Sequence, residues 1–168
     1  LGSSFNIVTG TDSWSYSHAN LSSALISNRY YILNARAIDR AGNNQNGFVV
    51  GQSSITFIWD KTPPTSTINF PVSSGTYKPS DISGPNAFNG SATDTSLPFL
   101  GVRLSKVELN LSYIDGNTTY YWKGSAFSSN TTETDSWFSA IGTDTWRYPF
   151  DGSLNFVSDK LYTLKSRA

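Results

Sequence analysis

Along residues 30–37 the apolar positions alternate: Tyr31, Leu33, Ala35 and Ala37 fall on one side, Asn34 and Arg36 on the other. Strict alternation marks a half-buried strand, because successive side chains leave a pleated backbone on opposite faces. The pattern recurs at Tyr162, Leu164, Ser166 and Ala168, with Lys165 and Arg167 outward. A following run turns Ile55, Phe57 and Trp59 inward. Ile68 and Phe70, then Val107, Leu109, Leu111 and Tyr113, extend the buried set, leaving Lys106, Glu108 and Asn110 to face water. These runs predict an all-β chain of antiparallel strands, wet on one side and closed as a two-sheet β-sandwich of seven or so strands.

The chain also repeats itself. Gly10-Thr11-Asp12-Ser13-Trp14-Ser15-Tyr16 lies over Gly142-Thr143-Asp144-Thr145-Trp146-Arg147-Tyr148. After a one-residue gap, Tyr31-Ile32-Leu33-Asn34-Ala35-Arg36-Ala37 lies over Tyr162-Thr163-Leu164-Lys165-Ser166-Arg167-Ala168. The period is about 131 residues, so the sequence holds one period and an overlap of some 37 residues, as expected of a tandem repeat array. Between the copies stand Pro63 and Pro64. Proline has no N–H to continue a ladder and holds the chain semi-extended, which makes this pair a stiff joint. The expected organisation is residues 1–62 as the closing part of one module and 63–168 as the next. The second copy has no counterpart of Ile38 to Asp60, its last strand. The expectation is that the polypeptide continues past Ala168, or that a neighbouring chain donates the strand.

Ala37-Ile38-Asp39-Arg40-Ala41-Gly42-Asn43 and Phe57-Ile58-Trp59-Asp60-Lys61-Thr62-Pro63-Pro64 resemble the "A-x-D-x-A-G-N" and "F-x-V-D-x-T-x-P" signatures of bacterial immunoglobulin-like, or fibronectin-III-like, repeats of large cell-surface and adhesin proteins. Phe88 to Asp94 is similar to that family's second strand, Val107 to Leu111 to its third, and Tyr121-Trp122-Lys123-Gly124-Ser125 to a hairpin of some members. The stretch Ser80 to Asn86 departs from the family's pattern. The resemblance implies an immunoglobulin-like sandwich at the cell surface, partnered by neighbouring repeats or by adjacent subunits of a fibre.

Composition narrows the chemistry. Charged residues are 14% of the chain against 38% hydrophobic, and the 12 basic and 12 acidic residues cancel, so there is no basic footprint for nucleic acid. No apolar run reaches the roughly 20 residues that a membrane-spanning helix needs. With no Cys, disulfides, thiolate metal sites and cysteine nucleophiles are excluded.

Three kinds of site remain to be weighed. Five Trp residues suggest stacking on sugar rings, and Trp122, with Tyr120 and Tyr121 beside the Lys123-Gly124 turn, is the best ligand candidate. A carbohydrate-binding module using these aromatics is the alternative to a structural role. Trp14 and Trp146, repeated with the module, are expected to pack, as is Trp59. Tyr31 and Tyr162 are candidates for a corner tyrosine tying loop to strand. Asp39, Asp60 and Asp94 resemble positions where related repeats hold Ca²⁺ at module junctions through hard oxygen ligands, although Asp39 and Asp60 also suit turns. No other cofactor is indicated. The lone His18 sits in a loop-like stretch, and Glu133 and Asp135 lie in a Thr/Ser-rich loop rather than on rigid elements across a cleft, so no catalytic residues are assigned and no enzyme is expected. Sequons at Asn20, Asn89, Asn110, Asn117 and Asn130 are expected by chance in a chain so rich in Ser, Thr and Asn. The sequence as a whole suggests a spacer, stalk or adhesive segment.

Overall fold

The computed structural model describes residues 5–94 and 104–168. All its ladders between strands are antiparallel, helix is confined to single turns, and the chain divides into two compact units, Leu1–Thr62 and Pro63–Ala168. No helix among the described residues is long and apolar enough to cross a membrane.

The first unit is built on one hairpin-like pair. Strand β1 (Arg29–Asn34) runs antiparallel to β2 (Ser54–Trp59), in register from Arg29 opposite Trp59 to Asn34 opposite Ser54. Both are rich in β-branched and aromatic residues, which suit a pleated surface. A one-turn helix, α1 (Leu21–Ala24), precedes them. The faces expected to be buried are only partly covered: Tyr31, Ala35, Phe57 and Trp59 are half-buried, whereas Leu33 and Ile55 are 46% and 47% exposed, and Ser54 is the only buried side chain described. Tyr31 and Phe57 stack across the pair with ring centroids 5.8 Å apart, but a two-stranded ribbon has no second layer to cover their neighbours.

The second unit carries the core. Strands β3 (Thr65–Phe70), β4 (Ser83–Thr93) and β9 (Thr145–Asp151) form one sheet in the order β3-β4-β9. Strands β5 (Glu108–Asp115), β6 (Thr118–Trp122), β7 (Phe127–Ser128), β8 (Phe138–Ser139) and β10 (Tyr162–Arg167) form another, ordered β10-β5-β6-β7, with β8 also pairing β5. A one-turn helix, α2 (Gly152–Asn155), joins β9 to β10. A single cluster draws from both sheets, with Phe88 on β4, Leu109 and Leu111 on β5, Trp122 on β6, and Trp146 and Phe150 on β9. Ser66 on β3 and Ser166 on β10 share a 2.8 Å hydroxyl hydrogen bond between the sheets. Gly90, on β4, is where Trp146 crosses: a Cβ there would collide with the Thr67 carbonyl oxygen and the Trp146 indole.

The alternation read from the sequence locates the inner face well. Val107, Leu109, Leu111 and Tyr113 are buried, and Tyr162, Leu164 and Ser166 are half-buried against exposed Thr163, Lys165 and Arg167. Asn110 is the correction. Expected in water, it is fully buried, because residues 129–137 fold over the outer face of β5 and their Glu133 and Ser136 carbonyl oxygens accept from its Nδ2 at 3.4 and 3.3 Å. An amide at that position pairs with a covering backbone that a single strand's pattern does not reveal. Strand β4 also begins earlier than the resemblance suggested, at Ser83, with its pairing to β9 shifting register between Gly84 and Phe88.

Candidate functional site

Trp122 ends β6 at a turn where Gly124 has φ +92° and the Lys123 N–H donates to the Ala126 carbonyl. That turn brings Phe127 back against the indole at 5.3 Å, while Phe150 meets it edge-on at 5.0 Å. Trp122 is 4% exposed and its Nε1 donates to Tyr148 Oη at 3.2 Å. The indole expected to present a ligand platform is therefore a core side chain, with its surface closed to solvent and its N–H engaged. Tyr120 is stacked flat on Tyr113, with centroids 5.0 Å apart, and Tyr121 is half-buried.

The carboxylates behave as turn formers. Asp39 accepts from the Ala41 and Asn43 N–H groups at 2.9 and 2.8 Å and from Asn43 Nδ2 at 2.7 Å, and the Asn43 side chain above all holds its pKa below the ordinary carboxylate value. Asp60 accepts from the Thr62 N–H at 2.8 Å, which chiefly lowers its pKa, and from Ser27 Oγ at 3.3 Å. Asp94 follows β4 with its Oδ1 buried and unbonded among the described residues. No three His, Cys, Asp or Glu side chains are gathered as a metal site among those residues. Two of the three candidate calcium ligands, Asp39 and Asp60, thus accept from local donors. His18 is exposed in its loop, its Nδ1 accepting from the Asn20 N–H at 3.2 Å.

The repeated sequence adopts repeated local geometry. Thr9 and Ser15 exchange two backbone hydrogen bonds of 2.9 Å, and Ile141 and Arg147 exchange bonds of 2.8 and 2.9 Å. Each pair closes over a left-handed glycine, Gly10 at φ +93° and Gly142 at φ +90°, whose absent Cβ leaves room for the carbonyl three residues on. Each copy then makes its one-turn helix, α1 or α2. Next, Tyr31 Oη accepts from the Ile26 N–H at 2.7 Å, and Tyr162 Oη from the Val157 N–H at 2.7 Å. In both, the residue three before the tyrosine is left-handed, Asn28 at φ 59° and Asp159 at φ 60°. A third instance escaped the sequence reading. Tyr77 Oη accepts from the Val72 N–H at 2.8 Å, with Ser74 at φ 63°. The signal was present: an apolar residue and Ser, then a small polar residue, then Tyr three positions later, as in Ile26-Ser27-Asn28…Tyr31, Val72-Ser73-Ser74…Tyr77 and Val157-Ser158-Asp159…Tyr162.

The copies differ in their surroundings. Trp146 is fully buried and donates to the Ser91 carbonyl at 3.2 Å, whereas Trp14 is 46% exposed, so the expectation that both pack holds for Trp146 alone. Trp59 is half-buried, with its Nε1 lacking an acceptor among the described residues. Pro63 and Pro64 stand immediately before β3.

Strand β10 stands at the end of its sheet's strand order. One side of this strand pairs with β5 over six consecutive residues, from Tyr162 opposite Tyr113 to Arg167 opposite Glu108. Among the described residues no further strand continues the ladder from β10, and β3 packs close to it through the Ser66–Ser166 contact. Its charged side chains are tied back across the outer face, Lys165 to Glu133 at 2.7 Å and Arg167 to Glu108 at 2.8 Å, with the Arg167 guanidinium 4.2 Å above Trp137. Lys106 first, then Arg167, holds the Glu108 carboxyl below its ordinary pKa. Compared with protein-family models, curated proteins and solved structures, the chain matches none.

Proposed function

We propose that the chain is a load-carrying spacer or adhesive segment of a bacterial cell-surface protein or extracellular fibre, built of immunoglobulin-like β-sandwich modules in tandem. The observation that carries this reading is the recurrence, 131–132 residues apart, of the same glycine turn, one-turn helix and tyrosine-clamped strand. A device repeated with its geometry is best explained as part of a module, and modules in series keep their own cores while extending the chain. The two sheets of Pro63–Ala168 sharing one hydrophobic cluster suit a sandwich. The Pro63-Pro64 pair suits a joint of limited bending. Its partners are then neighbouring modules or adjacent subunits. The burial of Trp122 favours this reading over a carbohydrate-binding module, whose best candidate face it was.

Single-molecule stretching tests the reading. The expected record is a discrete rupture of Pro63–Ala168, releasing about 3.3–3.6 Å per residue and recurring at the same size in concatenated copies. Smooth extension without ruptures overturns it.

A further inference from the structure

We infer that Asn46-Gly47 is a self-modifying site, at which the Asn46 amide converts through a cyclic imide to aspartyl and isoaspartyl forms, while the identical Asn89-Gly90 pair is held inert by its sheet. The chain has these two Asn-Gly pairs, alike in chemistry and opposite in surroundings.

Asn46 and Gly47 are exposed and belong to no strand or helix. Their loop is anchored beside the pair rather than through its reacting groups. Gln45 donates its N–H to the Ala37 carbonyl at 3.0 Å and accepts the Ala37 N–H on Oε1 at 3.3 Å, while its Nε2 donates to the Gly47 carbonyl at 2.9 Å. The Asn46 side-chain amide and the Gly47 N–H have no hydrogen-bond partner among the described residues. Nothing lies within 4 Å of where a Gly47 Cβ would stand, so the Gly47 nitrogen has room to swing toward Asn46 Cγ. As the new N–Cγ bond forms, the Cγ–Nδ2 bond breaks, and Nδ2 leaves as ammonia with the proton that Gly47 gave up. Water then opens the imide at one of its two carbonyls. Opening at Cγ gives an aspartyl residue, and opening at the main-chain carbonyl routes the backbone through Cγ as an isoaspartyl link. Either way a neutral amide becomes a carboxylate, and departure of ammonia makes the change one-way.

The second pair is fixed on every side. Asn89 lies within β4 opposite Phe70 on β3 and Arg147 on β9, and Gly90 lies opposite Ile68 and Trp146. Ring closure needs the backbone to rotate out of its extended form, which a ladder on each side opposes. Asn89 Nδ2 is engaged with the Asn86 carbonyl at 3.1 Å, and the Thr67 carbonyl oxygen and the Trp146 indole fill the space over Gly90. Asn89 can therefore react only when β4 opens.

The chain is its own control. It is incubated folded at mildly alkaline pH, and the amide-to-acid mass change in the peptides holding Asn46 and Asn89 is followed by mass spectrometry. Conversion at Asn46 is expected to be at least about tenfold faster than at Asn89, with aspartyl and isoaspartyl peptides of equal mass both appearing. In concentrated urea, where β4 no longer restrains its pair, the two rates are expected to become alike. No conversion at Asn46, equal rates in the folded chain, or a rate difference that persists in urea overturns the proposal. Gly47→Ile, placed where a side chain meets no neighbour, is expected to slow conversion at Asn46 at least about fivefold by hindering approach of the nitrogen, and an unchanged rate overturns the assigned route.

Discussion

At the scale of single residues, identical positions in the two copies carry different energetic weight. Trp146 is sealed beneath Gly90 and donates to Ser91, whereas the matching Trp14 keeps nearly half its surface in water. Replacing a fully buried Trp by Ala removes its transfer energy and leaves a cavity, so Trp146→Ala is expected to cost about 3–5 kcal/mol. Trp14→Ala, in proportion to its partial burial, is expected to cost roughly half as much, about 1.5–2.5 kcal/mol. Urea unfolding of the two variants checks the contrast. Asn110 makes a related point: its sequon lies within a fully buried strand position whose side-chain N–H groups already serve two carbonyls, so the folded chain offers no access to it. Asn117, in the exposed turn between β5 and β6, is open by comparison.

At the scale of elements, the tyrosine clamp is the recurring device. Its hydroxyl accepts from a backbone N–H five residues earlier and donates back to the same residue's carbonyl, at 3.5 Å for Tyr31 and 3.4 Å for Tyr77 and Tyr162. One side chain thereby satisfies both backbone groups of a loop residue and sets where the next segment begins. Tyr162→Phe leaves the Val157 N–H without its acceptor and is expected to cost roughly 0.5–1.5 kcal/mol. The clamp also predicts an alkaline response. Burial raises the Tyr162 pKa above its ordinary value, the Val157 N–H opposing it more weakly. A raised folded pKa means that this contribution is complete below the unfolded value of about 10 and is lost as pH rises through the folded value. Unfolding midpoints of the parent chain and Tyr162→Phe are therefore expected to converge above about pH 10.

At the scale of the whole molecule, stability is concentrated in Pro63–Ala168, where both sheets contribute to one cluster. In Leu1–Thr62 the β1–β2 pair has no such cluster among the described residues, and its inward face is at most half-buried. Amide exchange is expected to reflect this, with β4, β5 and β9 protected most and β1 and β2 opening first. Equal protection in the two units, measured by mass spectrometry, would contradict the assignment of the core.

Much of this was legible in the order of residues. Alternation is a property of the extended backbone, so the inward sets Val107–Tyr113 and Tyr162–Ser166 could be read directly, and the left-handed Gly10 and Gly142 turns travel with their repeated sequence. Turn carboxylates such as Asp39 and Asp60 find donors two to four residues away and are equally local. What local pattern does not carry is coverage. Whether Asn110 meets water depends on a segment more than 20 residues away, and whether Trp122 presents a face depends on Phe150 in another sheet. Whether Trp14 is packed like Trp146 depends on contacts from outside the repeated segment. Covalent geometry decides which way a side chain points; only the assembled sheets decide what stands in front of it.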